Sequence, residues 1–184
     1  MRNEIRFAGF GGQGVIKAAL LTAMAAGLND DIEVVQTQSY GPEARGGACK
    51  SDVLISDGEI NYVKALNIDC FLVMSQAAMD RYAPELDLNK VVVIADGTLV
   101  KMIPGETCKV YRIDATARAE EDLGKALYAN IIMLGALASI TKLMTVEDLD
   151  KILDGNVPPK TLDINRKALR LGYELGEAAM GGQI

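Results

Sequence analysis

Ile5-Arg6-Phe7-Ala8-Gly9-Phe10-Gly11-Gly12-Gln13-Gly14-Val15 is the stretch on which the reading of this chain turns. A short apolar run breaks into glycines, and an alanine- and leucine-rich segment follows. The pattern predicts a strand over Ile5 to Gly9, a glycine loop, and a helix from Val15 to Leu28. Asn29-Asp30-Asp31 ends that helix and a second strand begins at Ile32. The second strand leads into another glycine-bearing loop, Ser39-Tyr40-Gly41-Pro42-Glu43-Ala44-Arg45-Gly46-Gly47. If the two strands are parallel members of one sheet, both loops emerge on its carboxyl rim, where open α/β sheets bind ligands.

Further along, Ala48 to Ser56 alternates in the manner of a strand and Ser56-Asp57-Gly58-Glu59 reads as a turn. Ile68 to Met74 and Val91 to Ala95 are short apolar runs of the kind buried in parallel sheets, with a short helix expected between them over Gln76 to Tyr82. Lys109 to Ile113 makes one more strand. The last third is helical. Ala117 to Lys142 is expected as one long apolar helix, and its small residues Gly135-Ala136-Leu137-Ala138-Ser139 would let a neighbour approach closely. Thr145 caps a helix to Asp154, with Glu147 and Asp148 in the first turn where carboxylates are favoured. Pro158 and Pro159 open a final amphipathic helix to Ala179. Strand–helix alternation followed by helices predicts an α/β three-layer sandwich, mostly parallel, with a helical C-terminal third. Residues 1–184 are expected to form a single domain.

Composition narrows the function. Nineteen lysines and arginines stand against 25 acids, a net charge of −6, which argues against a general nucleic-acid binder. No run approaches the roughly 20 apolar residues that span a bilayer, and the charged start (Arg2, Glu4, Arg6) does not resemble a secretory signal, so a cytoplasmic protein is expected. Histidine, the side chain most used for acid–base work near neutrality, is absent. The three cysteines, Cys49, Cys70 and Cys108, form no Cys-x-x-Cys pair and read as buried reduced thiols rather than metal ligands.

Gly9, Gly11 and Gly14 fit a Gly-x-Gly-x-x-Gly pattern, which lets a backbone approach an anion at a helix N-terminus. A dinucleotide site would also want an acid at the end of the second strand, and Gln36-Thr37-Gln38 stands there instead. An ATPase-type phosphate loop fails too, because Val15-Ile16 replaces the required Lys and Ser/Thr. Lys17 is either a solvated helix lysine or a point charge reaching back to a phosphate. Arg45 is either part of a structural turn or a planar fork for a carboxylate or phosphate. Asn130, polar within an apolar stretch, is either a hydrogen-bonded structural residue or faces a partner or ligand.

Gly11-Gly12-Gln13-Gly14 followed by Ser39-Tyr40-Gly41-Pro42-Glu43-Ala44-Arg45-Gly46-Gly47 resembles the gamma subunit of 2-oxoacid:ferredoxin oxidoreductases. The likeness continues through Ser51-Asp52-Val53, Ile68-Asp69, Ser75-Gln76, Ala129-Asn130 with Leu134-Gly135, and Asn165. The resemblance implies a multisubunit enzyme that converts a 2-oxoacid and coenzyme A (CoA) to acyl-CoA and carbon dioxide while reducing ferredoxin. It implies alpha, beta and delta partners. Thiamine diphosphate with Mg and the iron–sulfur clusters would lie on other subunits, and this chain would hold no cofactor of its own.

On the same ground, Gly11, Gly12, Gln13, Gly14 and Lys17 are expected near CoA. Ser39, Tyr40, Gly41, Arg45, Gly46, Gly47 and Asn130 are expected at a ligand or an interface. No residue is expected to be catalytic, and the isolated chain is expected to be inert and to self-associate as a homodimer. Two other readings stand beside this one: an architectural subunit whose loops touch only neighbouring chains, and a free-standing nucleotide-binding enzyme. A separate gamma chain also resembles the 2-oxoglutarate and branched-chain members more than the pyruvate ones.

Overall fold

Ile5 and Phe7 point to one side of the first strand and Arg6 and Ala8 to the other, and all four are buried. A strand covered on both faces is the mark of a sheet sandwiched between layers. The computed structural model describes residues 1–39, 47–105 and 109–182. Its strands are β1 (Arg2–Phe10), β2 (Glu33–Ser39), β3 (Ala48–Ser56), β4 (Cys70–Val73), β5 (Val92–Asp96) and β6 (Lys109–Ile113). They form one sheet in the order β2-β3-β1-β4-β5-β6. β3 runs antiparallel to both of its neighbours, while β1, β4, β5 and β6 pair in parallel.

β1 and β2 are therefore parallel to each other although β3 separates them. Gly9 lies opposite Cys49 and Ser39 opposite Lys50, so β1 and β2 end on the same rim of the sheet. The expected mostly parallel α/β sheet is present, with one reversed strand, β3, between β1 and β2.

The helices are α1 (Val15–Ala26), α2 (Gln76–Tyr82), α3 (Ala115–Leu123), α4 (Ala129–Thr141), α5 (Val146–Leu153) and α6 (Leu162–Gly181). One face of the sheet, carrying Ile5, Phe7, Leu72 and Ile94, packs under α1, α4 and α6. The opposite face, carrying Ala8, Leu54, Phe71 and Val93, is covered by α2 and the segments around it. Eleven of the thirteen residues of α4 are buried, from Ala129 to Ser139. Its small residues meet α6: a Cβ on Gly135 would overlap the Leu169 carbonyl oxygen, and one on Gly172 would overlap that of Ile132. Backbone lies on backbone there, which only glycine allows.

One expectation is corrected. Ala117 to Lys142 is not a continuous helix. α3 stops at Gly124, which turns left-handed at φ 80°, a 3-10 turn spans Ala126–Tyr128, and α4 starts afresh at Ala129. The reason is chemical: Arg118, Glu120, Glu121 and Asp122 require solvent, whereas Ile131 to Leu137 require the core. The break lets the chain turn inward between them. The final helix begins at Leu162, after a 3-10 turn at Pro159–Thr161. The Thr145 cap is present, its hydroxyl accepting from the Asp148 N–H at 3.0 Å.

Candidate functional site

The first loop is tied down from within. Gln13 Oε1 accepts the Phe10 N–H at 2.9 Å, and its Nε2 donates to the Met74 carbonyl at 2.7 Å, at the end of β4. Gln13 is thus a strut between two strand ends. Gly14 starts α1 at φ 75°, and Asn130 Nδ2 donates to its carbonyl at 3.3 Å. A Cβ on Gly14 would overlap that amide nitrogen, so the start of α4 is locked under the start of α1. Asn130 is accordingly hydrogen-bonded within the chain. Gly12 differs from both: its φ of 107° strains any L side chain, yet nothing lies within 4 Å of where a Cβ would stand. Its open side faces a cleft.

That cleft, of about 420 Å³, opens at the carboxyl rim. Phe10, Gly12 and Gln13 form one wall, and Met74 and Leu99 come from the ends of β4 and β5. Thr116 of α3 and the Ala126–Ala129 segment close the other side. Phe10 (40 % exposed) and Leu127 (66 % exposed) leave apolar surface at its mouth. No charged side chain lines the cleft among the described residues.

Behind Thr116 sits Asp96, fully buried at the end of β5. Its Oδ1 accepts the Thr98 N–H at 3.0 Å and its Oδ2 accepts the Thr116 hydroxyl. Burial pushes the Asp96 carboxyl above the ordinary aspartate range, while the hydrogen bonds from Thr116 and Thr98 pull it back part of the way. The Asp96 carboxylate fixes the β5–α3 connection and the direction of the Thr116 hydroxyl.

Gly11, Gly12, Gln13 and Gly14 thus come together at the rim, with Asn130 beneath them. The Gly47 carbonyl accepts the Gly11 N–H at 3.2 Å, so the two loops touch. Ser39 ends β2 in solvent. Lys17 is half-buried on α1 and does not line the cleft. Tyr40, Gly41, Arg45 and Gly46 lie outside the described residues, as does Cys108; Cys49 and Cys70 are buried free thiols. Burial pushes the Cys70 thiol up to about 12.

Phe10, Asp96, Thr116 and Leu127 escape a reading of the sequence alone. For Asp96 the signal was present: a carboxylate directly after an apolar strand and before Gly97-Thr98. For Leu127 no signal existed, since it falls inside the stretch read as unbroken helix.

Iron–sulfur clusters demand clustered thiolate donors. Among the described residues no group of three or more His, Cys, Asp or Glu side chains is placed to hold a metal ion. Among them, too, no helix is long and apolar enough to cross a membrane.

Residues 4–175 match the family model for pyruvate ferredoxin/flavodoxin oxidoreductase. The chain is 42% identical over 179 residues to the 2-oxoglutarate synthase subunit KorC of Methanocaldococcus jannaschii, covering 96% of this chain and 95% of that protein. Among solved structures, the gamma subunit of a keto/oxoacid ferredoxin oxidoreductase from Geobacter sulfurreducens PCA superposes with a TM-score of 0.86 at 38% identity, covering 97% of this chain and 98% of that one. A 2-oxoglutarate:ferredoxin oxidoreductase from Magnetococcus marinus, solved with 2-oxoglutarate, coenzyme A and succinyl-CoA bound, shares the fold at a TM-score of 0.84 and 22% identity. There this chain covers 31% of a much longer polypeptide.

Proposed function

The chain belongs to the pyruvate ferredoxin/flavodoxin oxidoreductase family, as a gamma-type subunit, and on that premise we propose that it helps to bind CoA and to assemble the complex. The reaction of that complex breaks the bond between the carboxylate and the carbonyl carbon of a 2-oxoacid, releases the carboxylate as carbon dioxide, joins the carbonyl carbon to the CoA sulfur with loss of the thiol proton, and passes two electrons to two oxidised ferredoxins. Its 2-oxoacid is 2-oxoglutarate, a reading that rests on the relationship to the methanogen KorC subunit. In this reading thiamine diphosphate, Mg and the clusters belong to alpha, beta and delta partners.

The observation that carries the CoA reading is Gly12, whose strained backbone faces an open cleft on the same rim as both loops. A glycine at the cleft wall leaves the backbone bare there, so that a ligand can approach it closely. A second reading, in which the rim only meets neighbouring subunits, draws on exposed Leu127 and Met102.

The two part company in the reconstituted complex carrying Gly12→Val. A ligand role raises the Michaelis constant for CoA more than that for the oxoacid, with assembly intact by gel filtration. Unchanged CoA dependence in an intact complex would hand the rim to the architectural reading.

A further inference from the structure

We propose that the loop between β3 and β4 is the surface by which this chain docks onto another subunit of its complex, one that presents an apolar patch edged by lysine or arginine. The inference rests on the assembly half of the reading above and adds the place of contact and the chemistry of the partner's face.

Residues 57–69 link Ser56 to Cys70 with neither helix nor strand. Long irregular stretches inside a compact domain are uncommon and usually carry function. Ser56 lies opposite Arg2 at the start of β1, so this loop sits on the amino rim, at the other end of the sheet from the glycine loop. Its backbone is pinned along its length. Glu33 accepts the Ile60 N–H at 2.8 Å, and the Arg2 guanidinium donates to the Tyr62 carbonyl at 3.4 Å. The buried Glu4 carboxylate accepts the Leu66 and Asn67 N–H groups at 2.6 and 2.7 Å. Ala65 and Ile68 are buried in the same apolar cluster as Leu54 and Phe71.

Tyr62, Val63 and Leu66 stay outside, 53 %, 53 % and 63 % exposed. Three large apolar side chains on one short stretch make a surface of the kind that a partner covers. Because the backbone beneath them is already ordered, covering them costs little further entropy.

Charge decides which partner. Asp30, Asp31, Glu33 and Glu59 are exposed at the β2 end of the loop. Arg2 is paired with Glu4, and Asp57 with the terminal ammonium, which leaves Lys64 as the one unpaired cation of the loop among the described residues. A second copy docking by this patch would set the same acids against each other, on a chain whose net charge is −6. Like charges face to face are disfavoured, whereas a different chain with a cationic edge is drawn in.

Surface plasmon resonance of the immobilised chain against the complex formed by the other subunits reads the contact directly. Tyr62→Ser and Leu66→Ser change side chains and keep the N–H that Glu4 holds, so the urea midpoint of the chain should not move. The dissociation constant should rise at least about tenfold in the double variant. Glu59→Lys should slow association about three- to tenfold at low salt, a difference that fades by about 0.5 M NaCl.

If Leu66→Ser lowers the urea midpoint, Tyr62→Ser alone carries the test. Unchanged affinity, faster association with Glu59→Lys, or affinity lost with Met102→Ser instead overturns the placement while leaving this chain an assembly subunit. So does a complex that forms normally while the same variants turn a dimer of the isolated chain into monomers, which makes the loop a contact between copies. A natural chain that does not bind the other subunits at all defeats the assembly reading, and this inference with it.

Discussion

The two faces of the sheet are held by different physics. On the face of α4 and α6 the contact is shape: Gly135 and Gly172 bring backbone against backbone with no room for a methyl group. On the face of α2 charge is added to the apolar packing of Ala8, Leu54, Phe71 and Val93. Arg6 grips Asp52 with two hydrogen bonds of 2.8 and 2.9 Å and reaches Glu85 at 2.8 Å, and Lys50 joins Glu85 at 2.7 Å. Burial works against the Arg6 charge, but Asp52 and Glu85 more than offset it and its pKa is raised. The seam tolerates no added atom; the network tolerates no removed charge.

Both arrangements serve the rim. The seam fixes α4, whose first turn carries Asn130 under Gly14. The network fixes β3, where Tyr82 also donates to the Ala48 carbonyl at 3.1 Å, one residue from the Gly47 that meets the first loop.

The largest effect should come from adding one methyl group to the seam. Gly172→Ala is expected to cost about 3 kcal/mol or more, because two helix backbones must separate to admit it. Urea denaturation of the full chain measures this. A cost below about 1 kcal/mol would mean that the helices slide apart freely and that the face is not locked by shape.

On the other face, Asp52→Ala strands the buried Arg6 with only Glu85 and should cost about 3 kcal/mol. Replacing both partners by apolar residues, Arg6→Met with Asp52→Leu, should recover most of the loss, since the pair's own desolvation cost disappears with it. If the double variant is as unstable as the single one, the network contributes stability outright and the contrast drawn here is weaker than stated.

The smallest effect is a pH dependence confined to the charged face. Burial tends to raise the Glu85 carboxyl, but Lys50 and Arg6 outweigh it and hold the group below its ordinary value of 4.5. A lowered folded-state pKa means stability that is whole above 4.5 and is lost as pH falls through the folded value. Glu85 is 42% exposed, so the contribution is small, about 1 kcal/mol at most. The advantage of the natural chain over Glu85→Gln should therefore be full at pH 6 and fade toward pH 3 in thermal melts. A gap that widens in acid would reverse the sign of this account.

Local pattern was enough to place the first loop, the strands and the Thr145 cap, because each depends on a few neighbouring residues. Glycines after an apolar run mark a strand end whatever lies elsewhere, and Ala48 to Ser56 and Lys109 to Ile113 are strands over those same bounds. The sequence also carried the family likeness. The position of β3 between β1 and β2 depended on pairing between distant segments, and no single stretch records it. The break before α4 depended on burial, which decides where a helix polar at one end and apolar at the other must part. The cleft needed everything at once: Thr116 is an ordinary threonine until the end of β5 brings Asp96 behind it, and Asn130 is an isolated polar residue until α4 slides under Gly14. Sequence determined which elements form because their causes are local; the tertiary structure alone decided what faces the cleft, because that follows from which distant elements become neighbours.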